Sequence, residues 1–264
     1  MSITVEVGTE DGSMASRTAG VINDTQFDVD ADGNFTLRVG GEPAERNWLP
    51  LPEGASRLTT RHYFEEAQCA AGNPAREPVL SIRRLDQAPP PTAPNDESIA
   101  AGIRRVAGFV RSRTLGMPPM ANADNPAFVS IVPNAFPKPV KPGDFGLSAF
   151  DAAYSMAPHF LGPDQALVIT GRWPSCRFAN VNLWTRHQQT FDYEHRQVSL
   201  NRAQTEADAD GNFRMVIAHR DPGVPNWLDT EGRALGIVFW RFFLPEGDID
   251  TPQADVVDID SLSS

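Results

Sequence analysis

The chain has 264 residues, 41% of them hydrophobic, which suffices for one large domain or two small ones around a well-buried core. A formal net charge of -11 and a pI near 4.9, with no cluster of Lys and Arg interleaved with aromatics, argue against a nucleic-acid partner, because a phosphate backbone would be repelled. No apolar run approaches the ~20 residues that cross a bilayer, and the start lacks the basic and apolar regions of a signal peptide, so the expected location is cytoplasmic.

In chain order, "ITVEV" reads as a strand, followed by "NDTQFDVDADGNF" (Asn23 to Phe35) and by "FTLRV", whose apolar residues alternate with the period of a strand. "NWL" at Asn47 to Leu49 and a strand "RLTTRHYF" (Arg57 to Phe64) follow. Cys69 and Cys176 form neither a C-x-x-C pair nor a disulfide pattern, which fits a reducing compartment, and each reads as buried packing. "QAPPPTAPNDES" is too rich in proline for helix or sheet interior and is read as a linker or extended strap. In "DESIAAGIRRVAGFVRS", Ile99, Ile103, Val106 and Val110 recur at helical spacing, with acidic residues in the first turn and Arg111 and Arg113 near the end, complementing the helix dipole. A second helical patch is expected from Leu147 to Met156, ended by Pro158. "ALVITG" (Ala166 to Gly171) and "RFANVNLWT" (Arg177 to Thr185) read as core strands.

The next segment repeats the first. At an offset of 178, "NRAQTEADADGNF" (Asn201 to Phe213) faces "NDTQFDVDADGNF", and with one inserted residue Pro222 faces Pro43 and a second "NWL" at Asn226 to Leu228 faces the first. Both copies run on into a β-rich segment, the second being "ALGIVFWRFFL" (Ala234 to Leu244), and conserved order and spacing mark a duplication. The expected fold is mainly β: a β-sandwich, jelly-roll-like, built from two related β units over residues 1–86 and 164–264 and a Pro-rich linker with short helices over 87–163. The three parts are expected to pack as one globular unit with the copies related by a pseudo-twofold.

The motifs divide between scaffold and chemistry. Asp-x-Asp-Gly opens many calcium loops, but the twelfth position is Gly41 in one copy and His219 in the other, so a hairpin turn is the simpler reading and calcium the lesser one. "NWL" reads as a core plug, with a ring-stacking platform at Trp227 as the alternative. The copies differ most in "RHQQTFDYEHRQVSLN", dense in His, Gln, Asp, Tyr and Arg, where the first copy has "TEDGSMASRTAGVIN". A fold needs its turns in both halves, whereas a site needs its reactive groups once. Asp192, Tyr193, His195 and Arg196 therefore form one candidate group, and His219, Arg220, Asp221 and Asp229 in "AHRDPGVPNWLDTEG" a second. Their spacing matches no metal-ligand pattern, and no P-loop, G-x-S-x-G or G-x-G-x-x-G is present, so no metal or cofactor is expected. The scaffold alternative for these residues is a polar edge or loop with solvated charges.

These stretches, "ADGNF" with "NWLPLPEG" and "TTRHYF", then "FDYEHRQVSLNRAQ" through "DADGNFRMVIAHRDPGVPNWLDTEG", resemble the domain of unknown function 1214 family of bacteria. The resemblance implies a β-sandwich, jelly-roll-like domain, in proteins that often carry additional N-terminal sequence; beginning at "ITVEV", this chain reads as a short member or one without that segment. It implies no reaction and no catalytic residues.

The functional expectation is the binding of a small, largely apolar molecule carrying a polar or anionic group, accessory to lipid, steroid or xenobiotic metabolism, with Arg196, Tyr193, Arg220 and Trp227 as ligand contacts. The alternative is a cofactor-independent lyase, isomerase or hydrolase with His195 or His219 as base, Asp192 or Asp221 orienting it and Arg196 holding an anion. A third expectation is a structural subunit, in a homo-oligomer or with a partner, using the acidic tail "EGDIDTPQADVVDIDSLSS" for interaction; otherwise that tail is solvated and adds an edge strand.

Overall fold

The computed structural model describes residues 1–68, 70, 73–87, 89–90, 92–116, 124–144 and 146–263; Cys69 lies outside them. The first unit holds β1 (Ser2–Val7) between β2 (Arg17–Asn23) and β5 (Ala55–Arg61), antiparallel to both, and a two-residue parallel pair of β3 (Arg38–Val39) with β4 (Trp48–Leu49). The second unit repeats the plan. There β8 (Phe178–Trp184) lies between β9 (Ser199–Asn201) and β12 (Leu235–Phe243), and β10 (Asn212–Ala218) pairs in parallel with β11 (Trp227–Asp229). Register makes the equivalence concrete: Ser2 faces Asn23 and Arg61, and its counterpart Asn180 faces Asn201 and Arg241.

Three strands are added to the second unit only. β6 (Ala152–Phe160) flanks β12, β7 (Gln165–Arg172) runs antiparallel to β10, and β13 (Gln253–Asp258) pairs with the far edge of β7. The resulting sheets, β6-β12-β8-β9 and β11-β10-β7-β13, enclose one core. Alternation decides which side chains enter it: Val238, Trp240 and Phe242 from β12 meet Val181 and Leu183 from β8 and Leu167, Ile169, Met215 and Ile217 from the facing sheet. Burying each such side chain contributes about 1.5–3 kcal/mol. The first unit has its own smaller core of Ile3, Val5, Ile22, Phe27 and Leu49, with Phe35, Leu37 and Val39 packed against it.

Two elements differ from the sequence reading. Residues 152–156 of the expected second helical patch belong to strand β6, because in-register pairing with β12, Tyr154 opposite Arg241 and Met156 opposite Phe239, outweighs local helix propensity. Pro158, read as the helix terminator, sits within this strand, where an edge position tolerates its missing N–H. "FTLRV" shortens to Arg38–Val39, while its counterpart β10 extends over Asn212–Ala218 because β7 supplies a partner for the whole length.

The expected first helix is α1 (Asp96–Arg113), started by a reciprocal capping box between Asn95 and Ser98. None of its residues is buried. The acidic tail takes its edge-strand alternative as β13. Polar side chains join the two units: fully buried Glu6 accepts from Thr4 Oγ1 (2.9 Å), Thr18 Oγ1 (3.2 Å) and the Leu147 amide (3.0 Å), and Ser2 Oγ donates to Asp151 Oδ2 at 2.7 Å. No helix among the described residues is long and apolar enough to cross a membrane.

Candidate functional site

The repeated motifs resolve into paired hydrogen-bond patterns. Asp30 Oδ1 accepts from the amides of Asp32 (3.0 Å) and Asn34 (2.8 Å), and Asp208 Oδ1 accepts from those of Asp210 and Asn212, both at 2.9 Å. Gly33 and Gly211 follow at φ 85° and 81°, the left-handed conformation that glycine adopts without strain. The amide bonds, Asn34 and Asn212 foremost, hold both carboxylates below their usual value. These are turns whose carboxylates serve the backbone. Asn47 and Asn226, at φ 55° and 59°, do the same for the loops beside them, and the indole N–H of Trp48 and Trp227 donates to the carbonyls of Gly40 (3.0 Å) and Ala218 (3.3 Å). Trp227 packs against the group of Ala166, Val216, Ala218 and Ile259, the core plug of the two readings.

What is not repeated is the pair of loops that meet at one end of β8 and β12. The chain leaves β8 at Thr185, whose hydroxyl accepts from the His187 amide at 3.2 Å, and returns past Phe191 through a tight turn at residues 192–196. The loop before β12 buttresses this turn: the Asp192 amide donates to the Glu231 carboxylate, Arg196 Nη1 pairs with buried Asp229 Oδ2 at 2.6 Å, and the Asp229 amide donates to the Gln197 carbonyl at 2.9 Å. Arg233 pairs with Glu231 at 2.9 Å and lies over the Phe191 ring at 5.5 Å, a cation–π contact.

Between the loops is a recess of about 460 Å³, lined by Thr185, Arg186, His187 and Gln189 on one side and Arg233, Ala234 and Leu235 on the other. Arg186 makes no ion pair among the described residues; its Nε lies 3.2 Å from His187 Nε2. At the equivalent place after β1 the first unit has Gly8, Thr9, Glu10 and Asp11, with no cation. Leu235 and its cross-strand neighbour Phe160 are both exposed at this end of the sheet, which gives the recess an apolar rim.

Each predicted residue has a definite place. Asp192 and His195 form an exposed pair at 2.9 Å, whose hydrogen bond holds the imidazole above its usual value and the carboxylate below it; Tyr193 is exposed on the same turn. Arg196 is engaged by Asp229. His219 bonds through Nδ1 to the Thr230 hydroxyl and through Nε2 to the Leu161 carbonyl at 3.4 Å. Asp221 Oδ1 accepts from the Gly223 amide in a turn, and Arg220 pins Asp164 (2.8 Å) and Asp260 (2.9 Å). The loops thus join Asp192 with His195 and Arg196 with Asp229, while Arg220 and Asp221 have separate, structural partners. Among the described residues no group of three His, Cys, Asp or Glu side chains is placed to hold a metal ion. Burial pushes the Cys176 thiol up to about 11, leaving it protonated and unreactive near neutral pH.

A buried histidine and a half-buried arginine escaped the sequence reading. His159 is fully buried with both ring nitrogens unpartnered; desolvation, with His219 adding to it, lowers it to about 4. A side chain built on Gly236 would lie 2.4 Å from His159 Nε2 and 2.9 Å from Phe191, so this glycine allows the histidine to pack under the recess. Arg241 sits among the rings of Phe239 (5.2 Å), Tyr63 (5.8 Å) and Tyr154 (5.9 Å), beside the seam between the units. Burial raises both tyrosines, which stay neutral. The available signal was a single charge inside the apolar run "GIVFWRFF", aligned by register with Arg61 of the first copy.

Comparison with known proteins matches residues 2–66 and 165–247, together more than half of the chain, to a family described as "Protein of unknown function (DUF1214)". A crystal structure of an uncharacterised protein from Burkholderia cenocepacia superposes with a TM-score of 0.78 at 24% identity, covering 98% of this chain and 70% of that one, a likeness of fold. A protein from Vibrio parahaemolyticus aligns over 64% of this chain and 48% of its own at 16% identity and a TM-score of 0.37, too weak to argue from. None of the curated proteins matches.

Proposed function

The chain belongs to the DUF1214 family, and from its own geometry we propose that it binds a small molecule with an apolar body and an anionic group in the recess between residues 185–189 and 233–235. The observation that carries this reading is a recess of about 460 Å³ built on one copy of the duplication only, with a cation on each wall and an apolar rim. That volume lies within the range of small-molecule clefts. Arg186 supplies a planar fork free of carboxylate partners among the described residues, while Arg233 is held in place by Glu231 and Phe191. Leu235 and Phe160 contact the apolar body. Arg196, the clamp expected from sequence, serves instead to fix the loop through Asp229.

The test is calorimetric titration of the purified protein with alkyl carboxylates from butanoate to dodecanoate and with phenylacetate. Saturable binding that strengthens with chain length, and weakens 10-fold or more in Arg186→Ala while Arg46→Ala on the first unit binds as wild type, is the expected result. A charge-assisted bond of about 1.5–3 kcal/mol sets that factor. Absence of binding across the series, or binding indifferent to Arg186, refutes the reading.

A further inference from the structure

Helix α1 meets the body of the protein with the wrong side for a core-packing helix. Ala100, Ala101, Gly108, Ser112 and Arg113 are its half-buried residues, and the contact is close: a side chain on Gly108 would lie 2.2 Å from the Asp11 carbonyl, and one on Gly12 would lie 2.2 Å from that of Arg105. The apolar stripe faces the other way. Ile99, Ile103, Val106 and Val110 are 52%, 65%, 64% and 53% exposed. An amphipathic helix draws its stability from burying its apolar face, and this one is well capped, anchored and uncovered.

We infer that this stripe pairs with the same stripe of a second copy, forming an antiparallel helix pair across a twofold axis. The spacing of four, three and four residues from Ile99 to Val110 is that of alternating seam positions over two heptads. An axis between positions 104 and 105 sets Ile99 against Val110 and Ile103 against Val106, so that one patch is complementary to itself, as a twofold interface requires. The charges agree with the same axis. Asp96 falls opposite Arg113, and Glu97 lies in the same first turn, near the partner's Arg111 end; a parallel arrangement would set like charges together. The close backbone approach at Gly12 and Gly108 fixes the stripe outward, so pairing requires no rearrangement of the fold.

Sedimentation velocity of the full chain between 1 and 200 μM tests the inference. A concentration-dependent monomer–dimer equilibrium is expected, with Ile103→Glu/Val106→Glu shifting it at least 10-fold toward monomer at unchanged circular dichroism and Tm, since neither side chain is buried in the monomer. Asp96→Arg weakens the dimer, and adding Arg113→Asp restores it at low salt, which reads the antiparallel register directly. A chain that stays monomeric throughout, or a dimer indifferent to Ile103→Glu/Val106→Glu, overturns the proposal. So does a dimer that the charge swap fails to restore. Arg113 also donates to Gln188 Oε1 at 3.4 Å in the recess loop, so the Ile103→Glu/Val106→Glu readout is the one that separates failure of this pairing from failure of ligand binding.

Discussion

Replacing Asn226 by alanine removes three hydrogen bonds from one side chain: Oδ1 accepts from the Glu206 amide at 2.8 Å, and Nδ2 donates to the carbonyls of Glu206 (2.7 Å) and Arg214 (3.0 Å). The residue is buried, so water does not replace them, and each contributes about 1 kcal/mol. Alanine must also hold φ 59°, at about 1–2 kcal/mol that asparagine largely escapes. Together the substitution is expected to cost about 3–5 kcal/mol. The duplication supplies an internal control. Asn47 has the same conformation and makes two equivalent bonds, to the Asp28 amide (3.1 Å) and the Thr36 carbonyl (3.0 Å), but at a half-buried position where those bonds are open to water. Asn47→Ala should therefore cost about 1–2 kcal/mol. Asn226→Gly, which loses the bonds without the backbone strain, should be about 1 kcal/mol milder than Asn226→Ala. Urea denaturation followed by tryptophan fluorescence and by circular dichroism reads all three. Equal costs for Asn47→Ala and Asn226→Ala, or less than about 1 kcal/mol for the latter, would refute the reasoning.

Buried His159, lowered to about 4, remains neutral in the fold while the unfolded chain takes up a proton below about 6.5. Stability should consequently fall by up to roughly 3 kcal/mol as pH drops from about 6.5 to about 4, and His159→Leu should flatten that limb in denaturation series at pH 7, 5.5 and 4.5. An unchanged slope contradicts the assignment. His195 has the opposite sign: its bond to Asp192 raises it, so its contribution is present below 6.5 and lost as pH rises through the raised value. NMR titration should place its midpoint above 6.5 and Asp192→Asn should bring it back; no change in the variant would show that the pair does not form in solution.

The scaffold was legible wherever structure is made by local chemistry. DADGNF and NWL fix their own turns through Asp, Gly and Asn, whose side chains bond within a few residues or tolerate positive φ, so the duplication and the mainly β fold could be read directly. Strand β6 was not legible, because "DAAYSMAPHF" becomes a strand only when β12 offers it a register across some eighty residues of chain, and no local pattern encodes that partner. The candidate site was half visible. Density of polar residues pointed to the loop that borders the recess, but side-chain direction was out of reach: Arg196 turns to Asp229, and Arg186, His187 and Arg233 line the recess. His159 was hidden by the same misreading of β6, and Arg241 by its apolar surroundings.

Strand β7 reaches its place flanked on both sides by segments made later than itself. Its register with β10 joins Arg172 to Asn212 across about forty residues that include β8 and β9, and its other edge stays open until β13 arrives about eighty residues further on. The first unit closes β1, β2 and β5 within its opening 61 residues. On a growing chain the two halves of the duplication are therefore unequal: one can complete its sheet early from nearby segments, and the other carries a bare, Leu- and Ile-bearing edge that has to be shielded from neighbouring chains while synthesis continues.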